Sequence, residues 1–193
     1  TNDTVPQKVS RQWIRDLDAY DGKTVITTEN TEFNLFLIET SRGCGRHCRF
    51  CMAGYCFRKP RHRSLDKLLS YLPQAKNLNK KVGLMGPAIS DYPQINELCS
   101  YIRSQDMPMS VASFRADSVT QELVDALAQS GQRTLTLAPE AGSEKIRHII
   151  NKGIEEEHLF KSISMGINAG VKNYRLYIMV GLPNEDENDI NKG

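Results

Sequence analysis

The sequence predicts an α/β fold with parallel strands and outer helices. Short apolar runs alternate with amphipathic helical stretches along most of the chain, a pattern typical of right-handed βαβ units. Five such units are visible, and the last stops at the start of its helix. A closed eight-fold barrel needs about 250 residues, which is more than the 193 present. The fold is therefore expected to be either a partial barrel or an open doubly wound sheet.

Parallel strands are predicted at five apolar runs. The first run, residues 33–38, is nearly continuous, as expected for a strand buried on both faces. The other strands are predicted at residues 82–85, 109–113, 134–138 and 174–180.

Amphipathic helices are predicted between these strands. Ser64, Thr120 and Ser143 are expected to cap helices, because their side-chain oxygens can accept hydrogen bonds from the first free amides. The helix after Ser64 is expected to run through Leu72, and a longer helix is expected over residues 154–169. A further helix carries four residues on one apolar face, so its cysteine is interpreted as a core residue: Ile95, Leu98, Cys99 and Ile102.

The chain is expected to contain one main domain. Residues 1–30 are polar and irregular and are interpreted as a linker or leader that follows a preceding domain. Within them, Trp13, Ile14 and Leu17 have helical spacing and are placed to pack against the domain body. Residues 31–193 form the predicted core domain, which is expected to be incomplete at its C-terminus.

The composition narrows the class of protein. Hydrophobic residues make up 39% and charged residues 25%, which is ordinary for a soluble globular domain. A net charge of +2 argues neither for nor against nucleic acid as a partner. The chain shows no apolar run of the roughly 20 residues that a membrane helix needs, and no signal-peptide pattern. Four of five cysteines lie between Cys44 and Cys56, so a cytoplasmic metalloprotein is predicted.

Cys44, Cys48 and Cys51 follow the first predicted strand with the spacing CxxxCxxC. Three thiolates so close together favour a [4Fe–4S] cluster in which one iron has no protein ligand. The alternative is a zinc knuckle with His47 or Cys56 as the fourth ligand. Zinc sites usually pair CxxC with a distant second pair, and this sequence has none. Cys56 is therefore expected not to be a metal ligand.

Residues that a core does not require follow each of the five strands. They are the cysteine loop, Gly86 with Pro87, Ser113 with Arg115, Glu140, and Gly181. In parallel α/β sheets, ligands bind at the carboxyl ends of the strands. These residues are therefore predicted to share one rim and one active site.

Four motifs in this order resemble the radical SAM enzymes. They read L-I-E-T-S-R-G-C-G-R-H-C-R-F-C, V-G-L-M-G-P-A-I-S-D-Y-P, A-P-E-A-G-S-E-K-I-R-H-I-I-N-K-G and M-V-G-L-P-N-E-D-E-N-D-I. The resemblance covers about residues 31–190 and is to the branch typically fused to a cobalamin-binding domain. It implies a partial (β/α)6-type, TIM-like barrel that is truncated after the fifth strand. It also implies that S-adenosylmethionine (SAM) binds the open iron and is cleaved reductively to a 5′-deoxyadenosyl radical.

The resemblance further implies roles for individual residues around SAM. Phe50 and the Gly181 segment would lie near the adenine, and Gly86 with Pro87 near the amino group. Ser113 and Arg115 would contact the carboxylate, and Glu140 the ribose or the amino group. Arg175 lies in the fifth predicted strand, where the alternation of side chains leaves open whether it points into the barrel or into solvent. The acidic residue common in such enzymes beside the glycine turn is missing here.

Two of these residues, and a basic run after the cysteine loop, also have a structural explanation. Arg115 is alternatively a surface charge paired with Asp117, and Glu140 is alternatively the cap of the next helix. The basic run of Arg58, Lys59, Arg61 and Arg63 is typical of a solvated face, or it attracts anionic SAM or substrate to the cluster.

The protein is therefore predicted to be a radical SAM enzyme with no catalytic residue beyond the cluster and SAM. The resemblance implies a one-electron reductant of ferredoxin or flavodoxin type, and cobalamin held by a domain outside this chain. The substrate and the final step, whether methyl transfer, cyclisation or rearrangement, stay open. The alternative is a structural zinc or iron–sulfur module that binds RNA or protein through its basic loop.

Overall fold

A computed structural model of the protein describes residues 8–25, 28, 30, 34–57 and 59–193. Phe33, predicted to begin the first strand, and Arg58 of the basic run lie outside these residues. The described strands are β1 (Leu35–Glu39), β2 (Ser41–Arg42), β3 (Arg61–His62), β4 (Lys81–Met85), β5 (Met109–Ser110), β6 (Thr134–Glu140) and β7 (Asn173–Ile178). The described α-helices are α1 (Ala53–Cys56), α2 (Leu65–Leu69), α3 (Leu72–Asn77), α4 (Ile95–Ser104), α5 (Gln121–Gln129), α6 (Glu144–Ile149), α7 (Glu156–Asn168) and α8 (Glu187–Ile190), with a 3₁₀ turn at Ile89–Asp91.

The parallel strands neighbour one another in the order of the chain. β1 pairs with β4 and β4 with β5, while β6 pairs with β7. A parallel bridge between Phe114 and Leu137 connects the two groups. A doubly wound sheet reverses its strand order at a switch point, whereas this order is the one a barrel follows. Within the described part of the chain the strands form an open arc, and the predicted α/β fold with a partial barrel is confirmed.

Two predicted elements differ from those observed. The strand predicted at residues 109–113 is observed as β5, which pairs with β4 only at Met109 and Ser110. Ser113 therefore lies in the loop that follows. The helix after Ser64 is divided into α2 and α3. Pro73 stands in the first turn of α3. Because proline has no amide hydrogen, it cannot continue the hydrogen-bond ladder of α2.

The core lies between the sheet and the helices, as the periodicity predicts. All four residues of the apolar face of α4 are at most 4% exposed: Ile95, Leu98, Cys99 and Ile102. Burial raises the pKa of the Cys99 thiol to about 12. The three predicted caps are confirmed, since each side chain accepts a hydrogen bond from the amide three residues on: Ser64, Thr120 and Ser143.

The N-terminal segment lies along the free edge of β1. Lys23 forms an antiparallel bridge with Ile38, and the amide of Thr24 donates to the carbonyl of Leu37 at 2.8 Å. Leu17 is buried, whereas Trp13 is half exposed, and residues 8–20 contain no helix. The segment therefore packs on the body through irregular backbone. None of the helices described has the length and apolar character needed to cross a membrane.

Candidate functional site

The cysteine loop leaves and returns at the carboxyl end of β1. Its two flanks pair as the short antiparallel strands β2 and β3, with Ser41 opposite His62 and Arg42 opposite Arg61. The described residues between β2 and β3 therefore leave the rim of the sheet and return to it, and the two ends of this loop are fixed by backbone hydrogen bonds.

Glycines allow the loop to fold tightly on itself. Gly43, directly before the first cysteine, has a φ of +85°, and a Cβ there would lie 2.0 Å from the carbonyl oxygen of Phe57. A Cβ at Gly54 in α1 would lie 3.0 Å from the backbone of His47. Side chains at these positions would push α1 away from the loop, so both glycines are required for this packing.

A cavity of about 190 Å³ lies at the rim and brings together most of the residues predicted from the sequence. Its lining consists of Cys44, Arg46, Cys48, Phe50, Cys51, Pro87, Ala88, Ser113, Phe114, Arg115, Ala138, Glu140 and Lys152. The carboxyl ends of four parallel strands contribute to it, which is where ligands bind in such sheets.

Three residues predicted for the site lie outside this lining. A Cβ at Gly86 would lie 2.8 Å from Oγ of Ser41, so this glycine permits close packing beside Pro87. The amide of Gly181 donates to Oε2 of Glu185 at 2.6 Å. Arg175 is exposed on β7.

Arg115 is paired with Asp117, but it is not a surface charge. Its side chain is 10% exposed, and Nε and Nη2 donate to the two carboxylate oxygens of Asp117 at 2.9 and 3.0 Å. Nη2 also donates to the carbonyl of Lys152 at 2.6 Å, and Nη1 lies 3.6 Å from Sγ of Cys48. The guanidinium therefore links the segment that follows β5 to the cysteine loop.

Arg46 forms a second link between the cysteine loop and the strand ends. It donates two hydrogen bonds to Asp91, at 2.6 and 2.7 Å, and one to Asp117 at 3.0 Å. Burial alone would favour the neutral carboxyl of Asp91, but the hydrogen bonds from Arg46 and Ser118 outweigh it and hold the pKa of Asp91 below its usual value. The hydrogen bond to Asp91 in turn raises the pKa of Arg46. Both groups are therefore charged at neutral pH.

Glu140 and Lys152 form an ion pair in the cavity wall. Nζ of Lys152 lies 3.0 Å from Oε1 of Glu140 and 5.8 Å from the centre of the Phe50 ring. The Lys152 side chain is 7% exposed. Glu140 has a φ of +73°, a backbone conformation that non-glycine residues rarely adopt and that clusters at functional sites. The cap of α6 is Ser143 and not Glu140.

The segment after α6 holds the cysteine loop from the other side. The amide of Arg49 donates to the carbonyl of Ile150 at 2.9 Å, and the Arg49 side chain donates to the carbonyl of Ile149. Nδ2 of Asn151 donates to the carbonyl of His47 at 2.9 Å and lies 3.4 Å from that of Arg46. The loop is thus positioned by backbone contacts as well as by ion pairs.

The donor set fits an iron–sulfur cluster. Among the described residues, no three His, Cys, Asp or Glu side chains are grouped so as to hold one metal ion. A [4Fe–4S] cluster is ordinarily held by four cysteine thiolates, so three cysteines would bind three irons and leave the fourth iron without a protein ligand. Cys44, Cys48 and Cys51 line one cavity, as such ligands would. Cys56 and His47 are exposed and do not belong to this lining.

The basic run is not a uniformly solvated face, and that part of the prediction is wrong. Arg63 is buried, because the N-terminal segment covers it and accepts its hydrogen bonds at the carbonyls of Leu17 and Tyr20. Nη2 of Arg63 also lies 2.6 Å from Oε2 of Glu39. Lys59 is exposed.

A larger cavity, of about 590 Å³, lies between α6, α7, β7 and α8. Its lining includes none of the residues predicted for the site, and its wall includes the ion pair of Lys145 and Asp189. The cysteine cavity is therefore the candidate site, because it is where the unusual residues meet.

Sequence reasoning missed four polar residues around the site: Arg46, Asp91, Asn151 and Lys152. Two carried a signal that could have found them. Arg46 lies between the first two cysteines, while Asp91 is a carboxylate that follows the second predicted strand. Asn151 and Lys152 follow a helix, where polar residues are ordinary.

Comparisons with known proteins identify the family of the chain. Residues 38–192 match the radical SAM superfamily. An uncharacterized protein of Methanocaldococcus jannaschii is 40% identical over 187 residues, which cover 95% of this chain and 41% of that protein. A putative methylthiotransferase of the same organism is 25% identical over 198 residues, covering 96% of this chain and 40% of that protein. The chain thus spans about two fifths of the length of these relatives.

Solved structures show the same fold. The radical S-adenosylmethionine methyltransferase TsrM from Kitasatospora setae, solved with cobalamin and a [4Fe–4S] cluster, matches with a TM-score of 0.67. The match has 14% identity and covers 80% of this chain and 32% of that chain. This likeness concerns the fold, whereas the sequence match extends over most of the chain, which therefore belongs to the radical SAM superfamily.

Proposed function

We propose that the chain binds a [4Fe–4S] cluster through Cys44, Cys48 and Cys51 and binds SAM against the open iron. The observation that carries this proposal is the single cavity that the three cysteines share with Phe50, Pro87, Ser113, Arg115 and Glu140. When bound and reduced by one electron, the cluster would supply the electron that cleaves the sulfur–C5′ bond of SAM to methionine and a 5′-deoxyadenosyl radical.

The protein's own residues are proposed to hold and orient SAM. Two buried cations of the described residues line the cavity, Arg115 and Lys152, and they face the carboxylate of SAM in this proposal. Glu140 accepts hydrogen bonds from the ribose or the amino group, and Phe50 packs near the adenine. The backbone at Gly86 and Pro87 forms the wall beside the amino group of SAM. The Gly181 segment and Arg175 are also proposed to contact SAM.

Cobalamin and the electron donor are proposed as partners outside this chain. Support for cobalamin comes from the four motifs and from TsrM, a protein of the same fold that holds it. The donor is proposed to be a ferredoxin or a flavodoxin, and the location cytoplasmic. The putative methylthiotransferase among the relatives supports group transfer to a substrate as the final step. In this proposal residues 31–193 are the core domain.

Anaerobic reconstitution tests the proposal. The protein should take up four irons and four sulfides for each chain in the stoichiometry of a cubane cluster, and with dithionite and SAM it should release 5′-deoxyadenosine and methionine. Cys48→Ala should lose the cluster, whereas Cys56→Ala, a substitution of an exposed thiol, should retain it. A loaded protein that produces no 5′-deoxyadenosine would contradict SAM cleavage. Stoichiometric zinc in place of iron and sulfide would support the structural module instead.

A further inference from the structure

We infer that Arg115 makes the proposed cluster easier to reduce by donating a hydrogen bond from Nη1 to the Cys48 sulfur. The inference rests on the proposed cluster, but not on SAM binding or on any substrate. In this inference Arg115 acts on the cluster also when SAM is absent.

The orientation of the guanidinium is determined by its other partners. Asp117 accepts from Nε and Nη2 in a bidentate pair, and the carbonyl of Lys152 accepts from Nη2. These contacts fix the plane of the group and direct Nη1 towards Cys48, with an Nη1–Sγ distance of 3.6 Å. Arg115 and Cys48 are 9% and 7% exposed, so little water competes for the sulfur.

Reduction adds one negative charge to a cluster whose sulfur ligands share it. A hydrogen-bond donor at a ligand sulfur stabilises the added charge, and such hydrogen bonds, with solvent exposure, set the potentials of iron–sulfur clusters. A buried site of low dielectric constant strengthens this effect. The electron comes from the external one-electron donor. No proton moves, because arginine stays protonated.

Charge and hydrogen bonding must be separated in the test. Removing Arg115 alone would leave Asp117 as a buried negative charge, which also disfavours reduction. The double variant Arg115→Met with Asp117→Asn removes both charges, and Arg46 keeps Asp91 as a partner. Asp117→Asn alone is the matched control, because it removes the negative charge while its amide oxygen and the carbonyl of Lys152 still accept from the guanidinium. Arg115→Lys is a milder variant that keeps the charge and loses the planar fork.

The midpoint potential is measured without SAM by redox titration monitored by electron paramagnetic resonance. The equilibrium constant for reduction of the cluster should be about tenfold smaller in the double variant than in the wild type. For one electron this corresponds to a shift of the midpoint potential by about 59 mV to a more negative value. Arg115→Lys should shift in the same direction, and Asp117→Asn should not. An unchanged potential in loaded double and lysine variants would overturn the inference and leave the proposed function intact.

A spectroscopic measurement on the wild type covers the case in which neither variant loads. Electron–nuclear double resonance of the reduced cluster should show a coupled proton that exchanges in D2O, contributed by Nη1 of Arg115. Its absence would overturn the inference. A wild type that takes up no cluster would overturn the proposed function first, so the two failures are distinguishable.

Discussion

Nζ of Lys152 lies 3.0 Å from Oε1 of Glu140, and both side chains line the cavity of the three cysteines. The Lys152 and Glu140 side chains are 7% and 15% exposed. An ion pair at such depth is costly to break, because the remaining partner is left charged and poorly solvated. The pair therefore connects the carboxyl end of β6 to the segment that follows α6.

Lys152→Met is expected to lower the free energy of unfolding by about 2 kcal/mol, because Glu140 loses a charged hydrogen-bond partner in a buried site. Adding Glu140→Gln should recover part of the loss, and a double-mutant cycle by urea denaturation measures the coupling. Lys67→Met is the control, since Lys67 and Asp21 are 27% and 59% exposed in their ion pair and such exposed pairs contribute little to stability. Additive losses in the cycle would contradict the pairing.

Asn151→Asp is expected to loosen the cysteine loop. The substitution keeps the shape and tolerates the φ of 55°, but it replaces the donor to the carbonyl of His47 by a negative oxygen. Losing a hydrogen bond of about 1 kcal/mol should speed amide exchange at residues 46–50 several-fold. Hydrogen exchange read by mass spectrometry measures this. Asn168→Asp on the exposed side of α7 is the control. Equal exchange rates at residues 46–50 in the two variants would contradict the role of Asn151 in holding the loop.

The ion pair of Asp91 with Arg46 predicts a loss of stability in acid. The pKa of Asp91 in the fold lies below its ordinary value of 3.8. Its contribution is therefore fully present above about pH 3.8 and is lost as the pH falls through the lower pKa of the folded state. Urea unfolding across the acid range should show a weaker pH dependence for Asp91→Asn than for the wild type. Identical pH dependence would show that Asp91 titrates as in the unfolded chain.

Thiol labelling of the cluster-free protein should distinguish Cys56 from Cys99. Cys56 is exposed, whereas Cys99 is 0% exposed and burial raises its pKa to about 12. Because the thiolate is the reactive species, iodoacetamide should label Cys56 in the native state and Cys99 only in denaturant. Mass spectrometry of the peptides measures both. Native labelling of Cys99 at the rate of Cys56 would contradict its place in the core.

Much of the site could be predicted because its parts lie at positions that local patterns define. Apolar periodicity located the strands, and the carboxyl ends of parallel strands lie on one edge by topology. Cys44, Pro87, Ser113 and Glu140 therefore fell on one rim before any distance was known, and the structure places them around one cavity. The extent of the third strand was overestimated, because pairing with β4, rather than the local propensity of residues 109–113, sets its length.

The sequence by itself determined the superfamily, the positions of the strands and the spacing of the three cysteines, since motifs, spacing and apolar periodicity are properties of the chain itself. Only the tertiary structure decided which charges meet. Arg46 finds Asp91 and Asp117 across 45 and 71 residues, and Arg63 is buried by a segment 43 to 46 residues earlier. Ion pairs depend on distances of a few ångströms in space, and residue spacing along the chain carries no record of those distances.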